Sequence, residues 1–147
     1  MAASYVGTIK TVGETMAQSV TDANGFKIFM DEPEELGGNN RAPNPLDFIL
    51  AAHGGCLNFV TFFVANEMGI PVEGTEINIT GKLDPAKFTG SDMNVRAGYQ
   101  EIDIQIHVKS SAPADQIAQL LAAVEARCPV SDNITNATPV TISMTAV

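Results

Sequence analysis

The 147-residue sequence contains few basic side chains: eight Lys and Arg against seventeen Asp and Glu, for a formal net charge of -9. Positive charge is nowhere clustered, so neither a nucleic acid nor an anionic membrane surface is an expected partner. There is no tryptophan, and two cysteines are far too few for a disulfide-stapled secreted scaffold. The N-terminus "MAASYVGTIK" lacks the basic, apolar pattern of a leader, so we expect a cytoplasmic protein.

The remaining composition is that of an ordinary folded domain. Hydrophobic residues make up 45% of the chain and charged residues 17%, which is outside the range of disordered sequences. A chain of this length can bury one hydrophobic core without disulfide bonds or a structural metal. We therefore expect residues 1–147 to form a single domain.

The N-terminal part of the sequence is typical of strands. Three β-rich segments, "SYVGTIKTV", "TMAQSVTD" and "FKIFMDE", are followed by the Pro- and Gly-rich loop "DEPEELGGNNRAPNP". Asn24-Gly25 stands between the second and third segments, and this dipeptide is a strong hairpin signal. The segments therefore predict three strands, the last two of them joined by a tight turn.

The rest of the sequence alternates between helical and strand patterns. A helix is predicted from Leu46 to Met68, because Gly69 and Pro71 stop it, and a second amphipathic helix in "SAPADQIAQLLAAVEARC", capped by Ser111 or Ala112. Strands are predicted in "VEGTEINITGKLD" and "YQEIDIQIHV", where apolar residues alternate with polar ones, and in the final "PVTISMTAV" after a short irregular stretch. The order β-β-β-α-β-β-α-β favours an α+β fold with a mostly antiparallel sheet.

The first helix contains an uncharged run of eighteen residues, from Phe48 to Ala65, at the lower limit for a membrane span. His53 and a glycine pair inside the run, together with acidic flanks, argue against insertion in a bilayer. A helix that is apolar nearly all round must then be buried. Because one small domain cannot easily surround it, we predict a homodimer whose interface uses this helix.

The two cysteines, Cys56 and Cys128, are either ordinary buried thiols or a redox pair. Gly54-Gly55 directly precedes Cys56, where glycine leaves room for a ligand or for a packed helix. Cys128 lies at the predicted C-terminus of the second helix, where the helix dipole disfavours a thiolate. We therefore expect Cys128 to be the less acidic thiol, Cys56 to be the nucleophile, and Cys128 to resolve a Cys56 sulfenic acid as a disulfide.

Two segments resemble the OsmC/Ohr family of thiol-dependent hydroperoxide reductases. "NPLDFILAAHGGCL" is similar to the family's Asn/Ser-Pro-x-x-x-x-x-Ala-Ala-x-x-x-Cys helix, and "RCPVSDNITNATPV" to the segment around its second cysteine. The order of elements matches over essentially the whole chain. A Pro-Leu-acidic sequence after Asn44 is similar to less-characterised branches of that family.

The resemblance implies an intertwined α+β homodimer with two long central helices back to back and active sites at the subunit interface. It also implies an antioxidant, stress-response peroxidase in which Cys56 attacks a hydroperoxide, Cys128 resolves, and a thiol or dithiol reductant restores both. The expected substrate is an organic hydroperoxide or another small apolar molecule. We expect no cofactor.

In the family, an arginine and a glutamate hold the thiolate and the peroxide, but Leu46 stands at the glutamate position here, and the N-terminal strands offer only Lys10 and Lys27. Candidates for thiolate activation must come from elsewhere, and they are Arg96, Arg41, His53 and Asp47.

Each of these candidates has an ordinary structural alternative. Arg96 and Arg41 would be solvated loop cations, and Asp47 would complement the dipole in the first turn of its helix. His53 lies three residues before Cys56, and so on the same helical face, and it would be either an activating imidazolium or a packed core histidine. A metal on these residues would need a further ligand, Cys128 or an outward-facing His107, so we expect no metal site.

The missing Arg/Glu pair leaves an alternative function open. The chain would then be a non-catalytic dimeric module that binds a small molecule or acts in a stress response, without turnover. A thiol protein acting on other sulfur species is a third hypothesis.

Overall fold

The computed structural model of the chain describes residues 5–146 and has an α+β fold with two antiparallel sheets and one long helix. The predicted fold class is therefore confirmed. The chain divides after Ile49 into two compact units, and each is described by itself.

The N-terminal unit contains a three-stranded antiparallel sheet. Strands β1 (Ile9–Gly13), β2 (Ser19–Ala23) and β3 (Phe26–Met30) pair in the order β1-β2-β3. Asn24 and Gly25 take φ angles of 53° and 85°, the left-handed pair that a two-residue hairpin turn requires. All three strands were predicted, although β1 begins later than "SYVGTIKTV" does, and Ser4 lies outside the described residues.

Asp31, directly after β3, organises the loop that follows. Its buried carboxylate accepts hydrogen bonds from the backbone N–H groups of Glu32, Asn39 and Arg41 and from the side-chain amide of Gln18. Burial alone would raise the pKa of this carboxyl, but the four donors together lower it. The loop predicted from its prolines and glycines is thus held in place, and it contains one 3-10 turn at Glu34–Leu36.

We expect Asp31→Asn to lower the melting temperature at pH 7, because an amide offers one acceptor oxygen where the carboxylate offers two. A carboxyl whose pKa is lower in the folded state than in the unfolded state stabilises the protein at pH values above the unfolded-state pKa of about 3.9. This stabilisation is lost as the pH falls through the folded-state pKa. The difference in melting temperature should therefore shrink below about pH 4. Circular dichroism melts from pH 7 to pH 3 test this, with the exposed Glu14→Gln as control. A difference that stays constant across the range would contradict it.

Helix α1 runs from Pro45 to Met68, as predicted within one residue. Its N-terminus is closed by reciprocal bonds, because the Asp47 N–H donates to the Asn44 side chain and the Asn44 N–H donates to the Asp47 carboxylate. Gly69, with φ 67°, follows its last turn.

One face of α1 is buried in the single chain, and the opposite face is exposed. The buried side chains are His53, Leu57, Val60, Thr61, Val64 and Ala65. The exposed apolar ones are Ile49, Phe59, Phe62, Phe63 and Met68. Among the described residues, α1 is the single helix long and apolar enough to meet the length and composition test for a membrane span.

The C-terminal unit holds a second, two-stranded antiparallel sheet of β4 (Gly74–Lys82) and β5 (Glu101–Lys109). Ile77 lies opposite Ile106 and Ile79 opposite Ile104, which gives the sheet one apolar face. His107 is exposed on the other face, as expected. A single turn, α2 (Ala86–Thr89), precedes β5 and was not predicted.

The core of this unit lies between α1 and α3 (Ala114–Arg127). Its members are Leu57, Val60, Val64, Ala65, Ile70, Leu120, Val124 and Cys128. The amphipathic pattern of the second long helix is thus confirmed, but the cap position was wrong. Pro113 precedes the first turn in place of Ser111 or Ala112.

Two predictions for the C-terminal region were wrong. Residues 129–135, expected to be irregular, form the helix α4 (Pro129–Thr135), because Pro129 fits the first position of a helix. The predicted final strand "PVTISMTAV" does not form in residues 139–146 of the single chain, and Val147 lies outside the described residues. Val140, Ile142 and Met144 are exposed there.

Candidate functional site

The site is centred on the two cysteines, which the fold brings together from positions 72 residues apart. Cys56 lies in the middle of α1, and Cys128 lies at the junction of α3 and α4. Their sulfur atoms are 3.2 Å apart and both thiols are free. Because a disulfide bond is about 2.05 Å long, closing one requires the sulfurs to approach by only about 1 Å.

Cys128 is the N-cap residue of α4, and its sulfur accepts a hydrogen bond from the Ser131 N–H at 3.5 Å. Burial would raise the pKa of the Cys128 thiol, but the hydroxyl and N–H of Ser131, the Cys56 thiol and the Val130 N–H together lower it. The expectation that Cys128 is the less acidic thiol was therefore wrong. The residue ends one helix but also begins the next, and the second effect prevails.

The pKa of the Cys56 thiol is shifted in the opposite direction. Burial raises it most, the Val130 N–H partly offsets this, and the adjacent Cys128 raises it further. Across the 3.2 Å contact, the Cys128 thiol donates to the Cys56 sulfur. More donors converge on Cys128 than on Cys56, so the two pKa shifts have opposite directions. Cys56 is half-buried, whereas Cys128 is only 1% exposed, so the thiol with the raised pKa is the more accessible one.

His53 contacts the pair through Ser131 rather than through Cys56. Its Nε2 lies 2.7 Å from the Ser131 hydroxyl oxygen, and its Nδ1 is buried without a hydrogen-bond partner. Burial lowers the pKa of the imidazole, which keeps the ring neutral near pH 7. His53 is therefore a packed, hydrogen-bonded core histidine, and it is also in contact with the candidate site.

The other candidates for thiolate activation are exposed side chains. Asp47 is exposed and belongs to the cap of α1. Arg41 lies in the N-terminal unit, where its backbone N–H donates to Asp31. Arg96 is exposed in the loop before β5. Within residues 50–146, which hold both thiols, no arginine donates a hydrogen bond to either sulfur.

Metal binding has no candidate cluster in the described part of the chain. No group of three or more His, Cys, Asp or Glu side chains there is arranged to hold an ion.

Ser131 and Val130 were not among the residues predicted from the sequence. Both belong to the first turn of α4, and their N–H groups reach the thiols because the helix begins at Pro129. The available signal was "CPVS", a proline at the first helical position with serine two residues later.

The two glycines before Cys56 have different surroundings. A methyl group on Gly54 would lie 3.3 Å from the side chain of Ile79, so this glycine permits close packing of α1 on β4. A methyl group on Gly55 would have nothing within 4 Å. Gly55 therefore leaves open space on the exposed side of α1, next to Cys56.

A cavity of about 570 Å³ lies beside the histidine end of the site. His53 and Ser131 line it, together with apolar side chains of β5 such as Ile104. Glu125 and Asp132 are its other titratable lining residues in the described part of the chain.

Comparison with known proteins places these features in a family. Residues 37–143 match the model of the family described as OsmC-like protein. No curated protein sequence matches the chain.

Among solved structures, an OsmC-like protein from Mycoplasma pneumoniae superposes with a TM-score of 0.78 at 18% identity, over 90% of this chain and 89% of that one. Organic hydroperoxide resistance proteins from Legionella pneumophila and Elizabethkingia anophelis are similar too. The first has a TM-score of 0.67 at 21% identity, over 90% of this chain and 91% of that one. The second has a TM-score of 0.66 at 15% identity, over 90% and 89%.

Proposed function

The chain belongs to the OsmC-like protein family, and from that premise we propose that it reduces organic hydroperoxides, with Cys56 as the attacking thiol and Cys128 as the resolving thiol. The observation that carries the proposal is the 3.2 Å contact between two free thiols of unequal exposure. The names of the structural neighbours support the substrate class, since two of them are organic hydroperoxide resistance proteins.

The chemistry proceeds in three balanced steps. The Cys56 sulfur attacks the outer oxygen of the hydroperoxide, the O–O bond breaks, and Cys56 becomes a sulfenic acid while the alcohol leaves. Cys128 then attacks the oxidised sulfur, which forms the disulfide and releases water. An external thiol or dithiol reductant gives two electrons and two protons to restore both cysteines.

We propose that two copies of the chain form an intertwined homodimer, each a single OsmC-like domain. Members of the family are typically dimeric. The apolar face of α1, which contains Phe59 and Phe63, is exposed in the single chain, and so is the alternating C-terminal segment with Val140 and Ile142. Surfaces of this kind are buried in stable dimers. A cytoplasmic location and a role in stress response are part of the same proposal.

A second candidate function is a dimeric module that binds a small apolar molecule without turnover. The observation that favours it is the environment of Cys56, whose pKa is raised and whose sulfur has no arginine donor among the described residues of the C-terminal unit. Such a module would keep its ligand affinity when Cys56 is replaced, whereas a peroxidase would lose its activity.

Counting thiols after peroxide treatment distinguishes the two functions. We expect one equivalent of cumene hydroperoxide to convert two free thiols per chain to none, because Cys128 is already in contact with Cys56. Peptide mass mapping without reductant should show an intrachain Cys56–Cys128 bond, and hydrogen peroxide serves as the comparison oxidant. Two thiols that survive an excess of cumene hydroperoxide would leave only the binding function.

A further inference from the structure

Two pairs of facing side chains join α1 to the start of α4. On α1, His53 and Cys56 are three residues apart and lie on one face of the helix. Opposite them, Cys128 is the N-cap of α4 and Ser131 is its third residue. His53 Nε2 lies 2.7 Å from the Ser131 hydroxyl oxygen. The two sulfurs lie 3.2 Å apart. The proposed peroxidase steps use the sulfur pair and leave the histidine and the serine without a role.

Ser131 connects these two pairs. Its hydroxyl forms the hydrogen bond with His53, and its backbone N–H donates to the Cys128 sulfur at 3.5 Å. The bond from the N–H directs the sulfur, and the bond between the hydroxyl and the imidazole fixes the first turn of α4 relative to α1. The distance between the sulfurs therefore depends on the hydrogen bond between His53 and Ser131.

Packing alone holds α4 weakly in place. The helix has seven residues, and all of them are at least partly exposed. Val130 packs against the core, while Asn133 and Thr135 donate their side-chain hydrogen bonds to carbonyl groups of α4 itself. His53, in contrast, is only 5% exposed and belongs to a helix of 24 residues that forms part of the core. A hydrogen bond to such a side chain is an effective anchor for a short helix.

We infer that His53 and Ser131 are positioning residues for disulfide closure, because their hydrogen bond anchors α4 to α1 and so holds the Cys128 sulfur against Cys56. The inference rests on the proposed function, since it assigns the two residues to the step in which Cys128 resolves an oxidised Cys56. Misplacing a reacting atom by about 1 Å lowers a rate by a factor on the order of 10². The anchor should therefore act on closure and not on the first attack by Cys56.

Closure can be followed without peroxide, by stopped-flow absorbance with the aromatic disulfide dithiobis-nitrobenzoate. The more accessible Cys56 attacks the reagent first, forms a mixed disulfide and releases one coloured thiolate. Cys128 then loses its proton to the buffer and attacks the Cys56 sulfur, which forms the intrachain disulfide and releases a second thiolate. This second phase is intramolecular, so its rate measures how well Cys128 is positioned. A chain that leaves hydroperoxides unreduced would still show both phases, so failure of the proposed function is a separate result.

We expect His53→Leu and Ser131→Ala each to slow the second phase about tenfold and to leave the first within about twofold. Because both substitutions break the same hydrogen bond, the doubly substituted chain should be no slower than either single one. Ser131→Ala keeps the backbone N–H that donates to Cys128, so its effect reports the anchor alone. His53→Gln and Ser131→Thr keep polar atoms that are able to form the bond, and they should restore most of the rate.

Thr61→Val is the matched control, because Thr61 is a buried residue of α1 whose hydroxyl has no hydrogen-bond partner in the described part of the chain. It should leave both phases unchanged, and circular dichroism melts verify that each variant is folded. Ser131 is partly exposed, so Ser131→Ala decides the test even if His53→Leu does not fold. Equal slowing in Thr61→Val would overturn the anchor. So would an unchanged second phase in Ser131→Ala, or single effects that multiply in the double substitution.

Discussion

Replacing Cys56 with serine is expected to abolish turnover of cumene hydroperoxide, with a loss on the order of 10³-fold or more. A serine hydroxyl is not ionised near neutral pH and is a much weaker nucleophile than a thiol. Only 1% of Cys128 is exposed, so this thiol has little access to a substrate of its own. The measurement is peroxide consumption with an excess of dithiol reductant.

Cys128→Ser is the complementary variant. It should lose turnover while Cys56 is still oxidised in the first step. The sulfenic acid on Cys56 would persist, appear as one added oxygen in the intact mass, and progress to the sulfinic acid under excess peroxide.

The opposite pattern would contradict the assignment of roles. If Cys56→Ser still gains one oxygen on Cys128 while Cys128→Ser stays unoxidised, the more acidic thiol is the nucleophile. The pKa shifts alone would favour that assignment, since Cys128 is the better thiolate. Accessibility favours Cys56, and the pair of variants shows which factor prevails.

The fold follows from local sequence signals wherever a residue is able to adopt only one conformation. Asn24-Gly25 adopts positive φ angles and fixes the β2–β3 hairpin, while Pro45 and Gly69 mark the ends of α1 within one residue. The alternating isoleucines of β4 and β5 predict one buried face for each strand, and the observed register pairs them on one face of the sheet. The α+β class therefore follows from the residues at turns and helix ends and from the spacing of the apolar residues.

The helix boundary at Cys128 was predicted wrongly because the same proline marks both the end of α3 and the start of α4. Proline after Cys128 ends α3, but proline is also favoured at the first position of a new helix, and Pro129 does both. The error then carried over to electrostatics, since a helix C-terminus disfavours a thiolate and an N-terminus favours it. The lowered pKa of Cys128 follows from the start of α4, whereas the raised pKa of Cys56 comes mainly from its burial.

The contact between His53 and Ser131 had no signal in the sequence at all. The two residues are 78 positions apart, and their pairing depends on how α1 packs beside α4. Helical spacing placed His53 on the face of Cys56, which was correct for the helix but did not identify its partner. Long-range side-chain pairing requires the tertiary structure, so this contact is visible only once the fold is known.

Phe59→Glu is expected to convert a dimer of this chain to monomers at micromolar concentration. Phe59 is 67% exposed in the single chain and stacks only with Phe63, at a centroid distance of 6.0 Å. A glutamate there costs the isolated chain little, because it stays in water. In a dimer joined through α1 it would bury an unpaired carboxylate, at about 3–5 kcal/mol, which weakens association by a factor on the order of 10² to 10³.

Sedimentation equilibrium measures this directly, with the native chain expected at twice 15.5 kDa and Phe59→Glu at 15.5 kDa. Phe88→Glu is the matched control, since Phe88 is 72% exposed on the short helix α2, away from the face of α1. If Phe88→Glu dissociates the dimer equally, the interface is not centred on α1. A native chain that sediments at 15.5 kDa, the mass of one copy, would contradict the dimer. The exposed phenylalanines of α1 would then remain uncovered.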